Sequence, residues 1–575
     1  MKELFKFLIS RKNLSKKHKY FTIVIIFFTF LSFFAELFSI GLIIPLVSVM
    51  FNKEKIENFE FLIPDFIESK NLDHTEFIYI FLGLIFLAYF FKTIVLFFHN
   101  YLVARYCASL GLFIQSKLIN KYLEKSIDFY NSINSSILVR NLSSEITVFV
   151  NHVLVPFFII IIEFLVLVGI LLLVLYFELK TGLFVLIVGL LSALLVKKFL
   201  SSRLTTWGKE RQKYSAESLK KINDLFFSQK IIKILQKENF FFSRLYNSLY
   251  RLTHTQLKKR IITPVPRLAI EILAIISFCL LIVFMLNDNK QTNEIITILA
   301  LYAAAAFRLI PSFNRITEMY NQFKFSIPSL SVIDNELNSQ DYDYKISRKL
   351  NQKQEDFQKI EINNLSFSYD KKIILKDINF KLEKKDMVGI VGKSGSGKTT
   401  LVNVLLGFHN IDASIKYNSN IVKDIRAWIS QVGYVPQDTY LLDDSIKNNI
   451  AFGLSDNEID QTILDEAIEQ SQLKSFINSL KEGVNTIIGE NGVKLSGGQR
   501  QRLGIARALY TKPEILIFDE ATSSLDMETE NDFVEAILKF KSKKTVLIIT
   551  HRPSLLRTCD KIFKLENGQL KLNEK

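Results

Sequence analysis

Six long apolar runs in the first half of the chain constrain its fold more than any other feature. Each has about 20 residues or close to it, the length that an α-helix needs to cross a bilayer. We therefore predict an all-α domain of six transmembrane helices. The runs are Tyr20–Met50, Phe77–Ala104, Val153–Phe177, Leu183–Leu200, Leu268–Leu286 and Glu294–Ile316.

The charges between these runs orient the predicted helices. The segment before the first run has seven Lys/Arg and one acid, and Lys197–Ile262 has sixteen Lys/Arg and four acids. The loop Phe51–Glu76 has three lysines and seven acids. Because positive charge is enriched in cytoplasmic loops, we expect both termini inside and the acidic loop outside.

The polar segments between the runs contain little Gly or Pro. Residues of about 105–150 and 200–262 should therefore extend the membrane helices into the cytoplasm. In the external loop, segment 54–70 has apolar residues at helical spacing with acids on the other face. This pattern fits an amphipathic helix at the outer surface or a packed lid, and both alternatives stay open.

The second half of the chain has a different pattern. Apolar content falls around Leu337–Asp356, which divides the chain into a membrane domain at 1–340, a linker at 341–356 and a second domain at 357–575. Strand patterns such as KIEINNLSFSY, MVGIVG, ILIFDE and TVLIIT alternate with helical ones in this domain. Such alternation predicts an α/β fold with a mostly parallel sheet.

The stretch GKSGSGKTT at Gly392–Thr400 directly follows the strand pattern MVGIV. It fits G-x-x-x-x-G-K-[ST], whose glycines let backbone N–H groups surround phosphate oxygens at a helix start. Lys398 is expected to bridge the β- and γ-phosphates of a nucleotide, and the Thr399 hydroxyl to bind Mg²⁺. The predicted contacts in this loop are Gly392, Ser394, Gly395, Ser396, Gly397, Lys398, Thr399 and Thr400.

Two further motifs complete the predicted site. ILIFDE indicates a buried strand, at whose end Asp519 can hold Mg²⁺ and Glu520 can polarise an attacking water. In LSGGQRQR, Ser496, Gly497 and Gly498 form a second anion-binding helix start. This second edge cannot serve the same phosphate from the same side as the first. Two chains placed head to tail are therefore expected to form two complete sites.

These motifs, in this order, resemble the nucleotide-binding domain of ABC transporters over residues of about 357–575. The resemblance implies that Tyr369 stacks on adenine, that Gln437 in VGYVPQ is the Q-loop residue and that His551 is the switch histidine. It also adds Gln499 of LSGGQ and Asp526 of SSLD to the nucleotide contacts. One departure is GFHNIDASIKYNSN, which lacks the family's glycine-marked turns and leaves the local hairpin geometry open.

The resemblance further implies an ATPase with ATP and Mg²⁺ as ligands. ATP is sandwiched in a homodimer, where Lys398 of one subunit faces Ser496 of the other. The implied catalytic residues are Glu520, His551 and Gln437, and the implied metal-binding residues are Thr399, Gln437 and Asp519. Since all of these are present, both sites of the homodimer are expected to hydrolyse ATP.

Six spans before one such domain resemble a half-transporter exporter of the type IV architecture. This implies a multi-pass protein of the bacterial inner membrane, with its ATPase domain in the cytoplasm. The formal charge of +15 lies mainly in loops beside the membrane. We therefore expect membrane lipid and an anionic substrate as partners, and no nucleic acid. The six spans exclude soluble ATPases such as DNA-repair proteins.

Four basic residues within the predicted spans are the main clue to the substrate. At about 1.5 Å per residue from the external helix end, Lys92 and Arg308 lie about 21–22 Å deep, and Arg267 and Arg315 about 28–31 Å. Arg308 and Arg315 are seven residues apart and share one helix face, with Pro311 between them. Charge within a bilayer is costly, so these residues are predicted to line a cavity for an anion.

Salt bridges and snorkelling to the interface are the structural alternative for the same residues. Glu271 lies four residues from Arg267, and Glu36 and Glu163 are possible buried partners for the deeper cations. Because a guanidinium fork matches phosphate geometry, the cavity hypothesis predicts a phosphorylated lipid headgroup.

The segments PVPRLAIEI and FRLIPSFNRI, with the cation of the second span, resemble those of bacterial ABC flippases for lipid-linked oligosaccharides. This resemblance implies transport of a polyprenyl-diphosphate oligosaccharide from the inner to the outer leaflet, for protein glycosylation. Lys92 stands where those flippases have an arginine, which keeps the charge but not the bidentate geometry. The alternatives are export of lipid A or another amphiphile, and an ATP-gated channel or regulator.

Overall fold

The computed structural model describes residues 2–9, 15–43, 46, 74–177, 179–287, 292–339, 356–369, 372–409, 414–418, 420–421, 426–521, 534–535 and 537–573. The chain divides into two compact units, Met1–Lys125 with Phe129–Tyr344 and Ser126–Asp128 with Lys345–Lys575. The predicted linker 341–356, apart from Asp356, and the external segment 54–70 lie outside the described residues.

Residues 2–338 are helical throughout their described part, with short connections. The helices are α1 (Lys2–Ile9), α2 (Lys16–Gly41), α3 (His74–Leu123), α4 (Ile127–Ser132), α5 (Ser135–Arg140), α6 (Ile146–Phe149), α7 (Val155–Phe177), α8 (Leu179–Phe227), α9 (Gln229–Ile234), α10 (Glu238–Ile262), α11 (Val265–Asn287) and α12 (Thr292–Asn338), with π-helical turns at Asn141–Glu145 and Val150–Leu154.

Three of these helices are far longer than a bilayer requires, and the cytoplasmic location of their extensions stays a prediction. Helices α3, α8 and α12 have 50, 49 and 47 residues. At about 1.5 Å per residue each reaches about 70 Å, more than twice the hydrocarbon thickness. Pro311 and Pro328 lie inside α12 without ending it. The predicted segments 105–150 and 200–262 thus begin as continuations of α3 and α8, and most of their remaining residues form the separate helices α4–α6, α9 and α10.

In the described part of the chain, four helical stretches are long and apolar enough to cross a membrane. They are Lys16–Gly41, Ile78–Leu123, Ser135–Tyr176 and Glu238–Leu280. The predicted runs Leu183–Leu200 and Glu294–Ile316 are helical within α8 and α12. The all-α character of the first domain is confirmed, and the count of six spans stays a prediction.

Several long helices of the first unit pack directly against one another. Helix α2 packs on α3 and α7, and α12 packs on α7 and α8. The approach of α8 to α12 is close, since a Cβ at Gly208 would lie 2.0 Å from the Phe325 carbonyl oxygen. A side chain at this position would therefore separate the two helices.

The second unit contains two sheets. A four-stranded antiparallel sheet has the order β2-β1-β4-β5, and a six-stranded sheet has the order β10-β9-β3-β8-β7-β6. The second sheet is parallel except for the antiparallel pair β9–β10. The strands are β1 (Lys359–Tyr369), β2 (Lys372–Glu383), β3 (Met387–Val391), β4 (Ser414–Tyr417), β5 (Asn420–Ile421), β6 (Val432–Val435), β7 (Ile515–Asp519), β8 (Thr545–Ile549), β9 (Lys561–Glu566) and β10 (Gln569–Leu572).

The described helices of this unit connect and cover the parallel strands. They are α13 (Lys398–Leu405), α14 (Arg426–Ile429), α15 (Ile446–Ile450), α16 (Gln461–Gln470), α17 (Lys474–Ser479), α18 (Gly497–Tyr510) and α19 (Pro553–Leu556), with 3₁₀ turns at Asp456–Glu458, Gly483–Asn485 and Glu490–Gly492. The predicted α/β fold with a mostly parallel sheet is confirmed.

The first strand pattern was assigned to the wrong sheet. KIEINNLSFSY forms β1, which pairs antiparallel with β2 and β4 instead of joining the parallel sheet. Its alternation of buried and exposed residues suits a sheet with one face on the core, whereas the buried β7 and β8 lie in the parallel sheet. The hairpin of β4 and β5 has no glycine in its turn. Asn418 takes that place, because its φ of 55° supplies the left-handed conformation.

The parallel sheet positions the predicted catalytic residues. Strands β3, β8 and β7 are neighbours and run in the same direction, so their carboxyl ends meet at one edge. The loop Gly392–Thr400 follows β3, Glu520 follows β7, and His551 comes two residues after β8. Ligands of open α/β sheets bind at this edge.

Candidate functional site

The loop after β3 has the backbone that its sequence predicts. Gly395 and Gly397 have φ values of 77° and 101°, in the left-handed region that favours glycine. A Cβ at Gly392 would lie 2.4 Å from the Leu565 carbonyl oxygen and 2.7 Å from Ser396 Oγ. The loop ends at the N-terminus of α13, where Lys398 is buried and Thr399 is exposed. Free N–H groups at such a helix start favour a phosphate.

Lys398 connects this loop to the ends of β7 and β8. Its Nζ donates to the Gly392 and Lys393 carbonyl oxygens at 2.8 and 3.1 Å. The same atom lies 3.4 Å from Glu520 Oε1 and 3.0 Å from His551 Nε2. The predicted phosphate-binding lysine and two predicted catalytic residues are therefore in direct contact.

Glu520 is the centre of the site. Gln437 Nε2 donates to Glu520 Oε2 at 3.3 Å, and His551 Nε2 lies 3.3 Å from Oε1. The Glu520 backbone has a φ of 50°, and its N–H donates to the Ile549 carbonyl oxygen. Such a conformation costs on the order of 1–3 kcal/mol in a non-glycine residue and is common at active sites. All three predicted catalytic residues are thus gathered around one carboxylate.

Asp519 has the properties of a metal ligand. Its carboxylate is buried, and Oδ1 has no hydrogen-bond partner among the described residues. Burial, and then the charge of Glu520, raise the pKa of Asp519 to about 6. The Tyr434 hydroxyl donates to Oδ2 at 3.4 Å. A buried carboxylate oxygen without a donor, beside a phosphate-binding loop, fits Mg²⁺, which takes few protein ligands together with phosphate and water.

The remaining predicted nucleotide contacts are distributed over this unit. Ser396 Oγ is buried and has no hydrogen-bond partner in the described part of the chain. Tyr369 ends β1, is partly exposed, and its hydroxyl lies 3.0 Å from His409 Nε2. Burial raises the pKa of Tyr369. Asp526 lies outside the described residues.

The LSGGQRQR segment forms the predicted helix start. Ser496 Oγ accepts the Gln499 N–H at 3.2 Å, and the Ser496 N–H donates to Gln499 Oε1 at 2.9 Å. This capping box begins α18, whose first residues are Gly497 and Gly498. Ser496 is exposed, so this helix end is accessible from solvent.

Two contacts of this unit were missed by the sequence analysis. Tyr434 reaches Asp519 because β6 and β7 are adjacent, and burial also raises the pKa of its hydroxyl. His409 packs edge-on against Tyr369. The Tyr434 contact depends on strand order, although VGYVPQ already contained this residue. The His409 contact depends on how the segment after α13 lies against the end of β1.

In the membrane unit, three of the predicted cations meet two buried carboxylates. Lys92 Nζ and Arg308 Nη2 lie 3.0 and 2.5 Å from Glu36 Oε1. Arg308 Nη2 and Arg315 Nη1 lie 3.6 and 2.7 Å from the oxygens of Glu163. The Glu36 and Glu163 side chains are 1% and 4% exposed. We call these five residues the charge cluster.

Helices α2, α3, α7 and α12 each contribute to the charge cluster. The two possible partners named from the sequence are confirmed as ion-pair partners. Ser312 Oγ also donates to Glu163 Oε2, at 2.7 Å. The structure thus places Arg308 and Arg315 on one face, as their spacing predicts, and joins them through Glu163.

Two cavities adjoin the charge cluster. The first, which we call the upper cavity, has a volume of about 570 Å³, and its lining includes Glu36, Glu163, Arg308, Arg315 and Glu318. The second, which we call the lower cavity, has a volume of about 1040 Å³. Its described lining includes five Lys/Arg and two Glu, namely Arg211, Lys259, Arg260, Arg267, Arg315, Glu271 and Glu318.

Arg315 lines both cavities, and its side chain is 62% exposed. Arg267 shares the lower cavity but pairs with Glu271 at 2.8 Å, as its spacing predicts. Lys259 and Arg260 were not predicted as lining residues, because they belong to α10, outside the predicted spans. The positive charge of the lower cavity therefore exceeds what the predicted cations alone supply.

Two family descriptions match this chain. The description "ABC transporter transmembrane region" matches residues 22–310, about half of the chain, and "ABC transporter" matches residues 375–523. The structure of a bacterial Atm1-family ABC exporter with ATP bound has a similar fold, with a TM-score of 0.77 over 96% of this chain and 94% of that chain, at 19% identity.

Curated relatives are similar over part of their length. The ATP-dependent lipid A-core flippase of Coxiella burnetii is 45% identical over 37% of this chain and 36% of that protein. The protein with the same name from Photobacterium profundum is 34% identical over 52% and 51%. The alpha-hemolysin translocation ATP-binding protein HlyB of Escherichia coli O157:H7 is 44% identical over 36% and 30%. The chain spans about a third to a half of the curated relatives that it matches.

Proposed function

The chain belongs to the ABC transporter family, and we propose that it is one half of a homodimeric, ATP-driven lipid flippase. In this proposal the helical unit spans the bacterial inner membrane, and the nucleotide-binding unit hydrolyses ATP on the cytoplasmic side. The names of bacterial relatives support a flippase, since two of them are ATP-dependent lipid A-core flippases.

The geometry around Glu520 supports ATP hydrolysis. Lys398 and the loop N–H groups bind the β- and γ-phosphates, while Glu520 accepts a proton from the attacking water. Gln437 and His551 hold the carboxylate at 3.3 Å each and orient it toward the phosphate. Mg²⁺ would be held by Asp519 with Thr399 and Gln437, and it would supply charge neutralisation at the phosphates.

A second copy of the chain completes the proposed site. The exposed start of α18 offers Ser496, Gly497 and Gly498 to the nucleotide bound at Lys398 of the partner. In this proposal the Tyr369 ring stacks on the adenine of ATP. ATP binding would then join the two nucleotide-binding units, and hydrolysis would separate them again.

The charge cluster and the lower cavity carry the assignment of the substrate. Basic residues within membrane spans mark substrate pathways by default, and guanidinium groups favour phosphate. The described lining of the lower cavity has more basic than acidic residues. We assign to it the phosphorylated headgroup of a lipid, with Arg267 and Arg315, which line it, as substrate-binding residues. Arg308, which lines the upper cavity, and Lys92, which pairs with Glu36 in the charge cluster, are the two further proposed substrate-binding residues.

The finer proposal is a polyprenyl-diphosphate-linked oligosaccharide, moved from the inner to the outer leaflet for protein glycosylation. Lipid A-core is the second candidate, and the names of the relatives favour it. Both candidates carry phosphate and sugar on an apolar anchor, which suits a cationic cavity.

Reconstituted protein can separate these candidates. Liposomes containing either a fluorescent polyprenyl-diphosphate glycan or fluorescent lipid A are given ATP, and quenching from outside reports movement. We expect ATP-dependent movement of the diphosphate glycan, and none in Glu520→Gln liposomes. Movement of lipid A alone would replace the finer proposal with the second candidate. Movement of neither lipid would refute the flippase.

A further inference from the structure

We propose that Glu163 is an exchangeable counter-ion that sets the charge selectivity of the lipid site. This inference rests on the proposed function and concerns which anionic headgroups the site accepts. Glu163 lies 2.7 Å from the Arg315 guanidinium and 3.6 Å from that of Arg308, so a phosphate that binds between these groups must displace it. A headgroup with more negative charge and more acceptor oxygens displaces it more effectively.

The contacts of Glu163 are those of a resident anion. Arg315 Nη1 lies 2.7 Å from Oε1, Ser312 Oγ donates to Oε2 at 2.7 Å, and Arg308 Nη2 lies 3.6 Å from Oε2. The carboxylate is thus bound by the same donor types that bind phosphate esters, namely guanidinium and hydroxyl. It also belongs to a different helix from its three partners, since Glu163 lies in α7 and they lie in α12.

The arginines keep further donors for a ligand. A guanidinium has five N–H donors, and the bond from Arg315 to Glu163 uses Nη1. The Arg315 side chain remains 62% exposed and lines the lower cavity. Arg308 Nε is buried and has no hydrogen-bond partner among the described residues. When Glu163 moves away, Arg315 Nη1 can therefore bind a phosphate oxygen, and Arg308, which stays paired with Glu36, can contribute its remaining guanidinium donors.

The charge balance explains why exchange is required. The charge cluster has three cations and two carboxylates, so Glu36 and Glu163 neutralise most of its charge. A phosphate at Arg315 would lie beside the Glu163 carboxylate, and like charges at such distances repel strongly in a low-dielectric site. A diphosphate carries more charge than a monophosphate and makes more hydrogen bonds to two guanidinium groups. It therefore competes better with the resident carboxylate.

This competition gives Glu163 a role in specificity. Monoanionic phospholipids surround the protein in every leaflet, and a bare pair of arginines would bind them. With Glu163 in place, such headgroups gain too little to displace it. Removal of the Glu163 charge should therefore let the site bind a wider range of anionic headgroups, rather than simply lower its affinity for all of them.

The test compares two lipids that differ in one phosphate. Binding of radiolabelled undecaprenyl diphosphate and undecaprenyl monophosphate is measured on the full-length homodimer in nanodiscs. We expect the wild type to prefer the diphosphate by at least tenfold. Glu163→Gln should bind the monophosphate at least tenfold more tightly than the wild type does, so that the preference shrinks.

Glu318→Gln is the matched control. Glu318 lines both cavities and carries the same charge, but it is absent from the charge cluster, so its removal should leave the preference unchanged. An equal effect of Glu318→Gln and Glu163→Gln would overturn the inference, because it would reflect general charge alone. If Glu163→Gln fails to fold, Ser312→Ala, which removes one donor to Glu163, should shift the preference in the same direction.

The outcomes separate this inference from the proposed function. A wild type that prefers the diphosphate, with an unchanged preference in Glu163→Gln and Ser312→Ala, overturns the counter-ion role and leaves the flippase proposal in place. A wild type that binds neither lipid refutes the proposed substrate class, and the inference with it.

Discussion

Replacement of Glu36 by glutamine should destabilise the membrane unit by an amount that its contacts predict. Glu36 is 1% exposed and holds both Lys92, at 3.0 Å, and Arg308, at 2.5 Å. At 3.0 Å and an effective dielectric constant of about 20, one such attraction is about 5–6 kcal/mol, part of which offsets the cost of desolvation. Removing one partner of a buried pair typically costs about 3–5 kcal/mol. We expect Glu36→Gln to lower the free energy of unfolding by about that amount.

A double-mutant cycle tests the cause of this loss. Lys92→Met should cost less than Glu36→Gln, because Arg308 still neutralises Glu36. The double variant should lose clearly less than the sum of the single losses, since the residues share one interaction. The assay is reversible denaturation of the purified protein in mixed detergent micelles, followed by circular dichroism.

Glu271→Gln is the control for this experiment. Glu271 forms an exposed pair with Arg267 four residues earlier on the same helix, so its loss should have little effect on stability. Losses for Glu36→Gln and Lys92→Met that add within about 0.5 kcal/mol would refute the reasoning, because independent sites behave in that way.

Three further perturbations follow from the structure. Glu520→Gln should reduce phosphate release by about 10²–10⁴-fold while nucleotide still binds, and unimpaired release would contradict the role of this carboxylate as general base. Since the pKa of Asp519 is raised to about 6, its carboxyl gains a proton as the pH falls through that value, and Mg²⁺-dependent ATP binding should weaken. Equal Mg²⁺ affinities at about pH 5.5 and 7.5 would count against Asp519 as a ligand. Gly208→Ala places a Cβ 2.0 Å from the Phe325 carbonyl oxygen and should lower the melting temperature, whereas Gly83→Ala, with nothing within 4 Å, should not.

The nucleotide site was largely predictable because its chemistry is local in sequence. Gly392–Thr400 combines glycines, lysine and hydroxyl in one loop, and a run of four apolar residues before Asp519 identifies its strand. The contacts of Glu520 with Gln437 and His551 then follow from the order of parallel strands. That order itself came from the resemblance to a family, since periodicity alone does not determine which strands are neighbours.

The membrane site was predictable only in part. The seven-residue spacing of Arg308 and Arg315 fixes their common helix face, and the spacing of Arg267 and Glu271 predicts their pair. The choice of Glu163 as the partner of both α12 arginines depends on how α7 packs against α12, which no local pattern encodes. Lys259 and Arg260 were missed for the same reason. They lie outside the predicted spans, and only the packing of α10 shows that they line the lower cavity.

The central claim is that Arg308 and Arg315 bind the phosphates of a lipid that ATP hydrolysis moves across the membrane. The most direct test measures ATP-dependent movement of a polyprenyl-diphosphate glycan in liposomes, for the wild type and for the double variant Arg308→Ala with Arg315→Ala. We predict movement by the wild type only with ATP, and loss of both movement and lipid-stimulated ATP hydrolysis in the double variant. Movement by the double variant at the wild-type rate would contradict the claim.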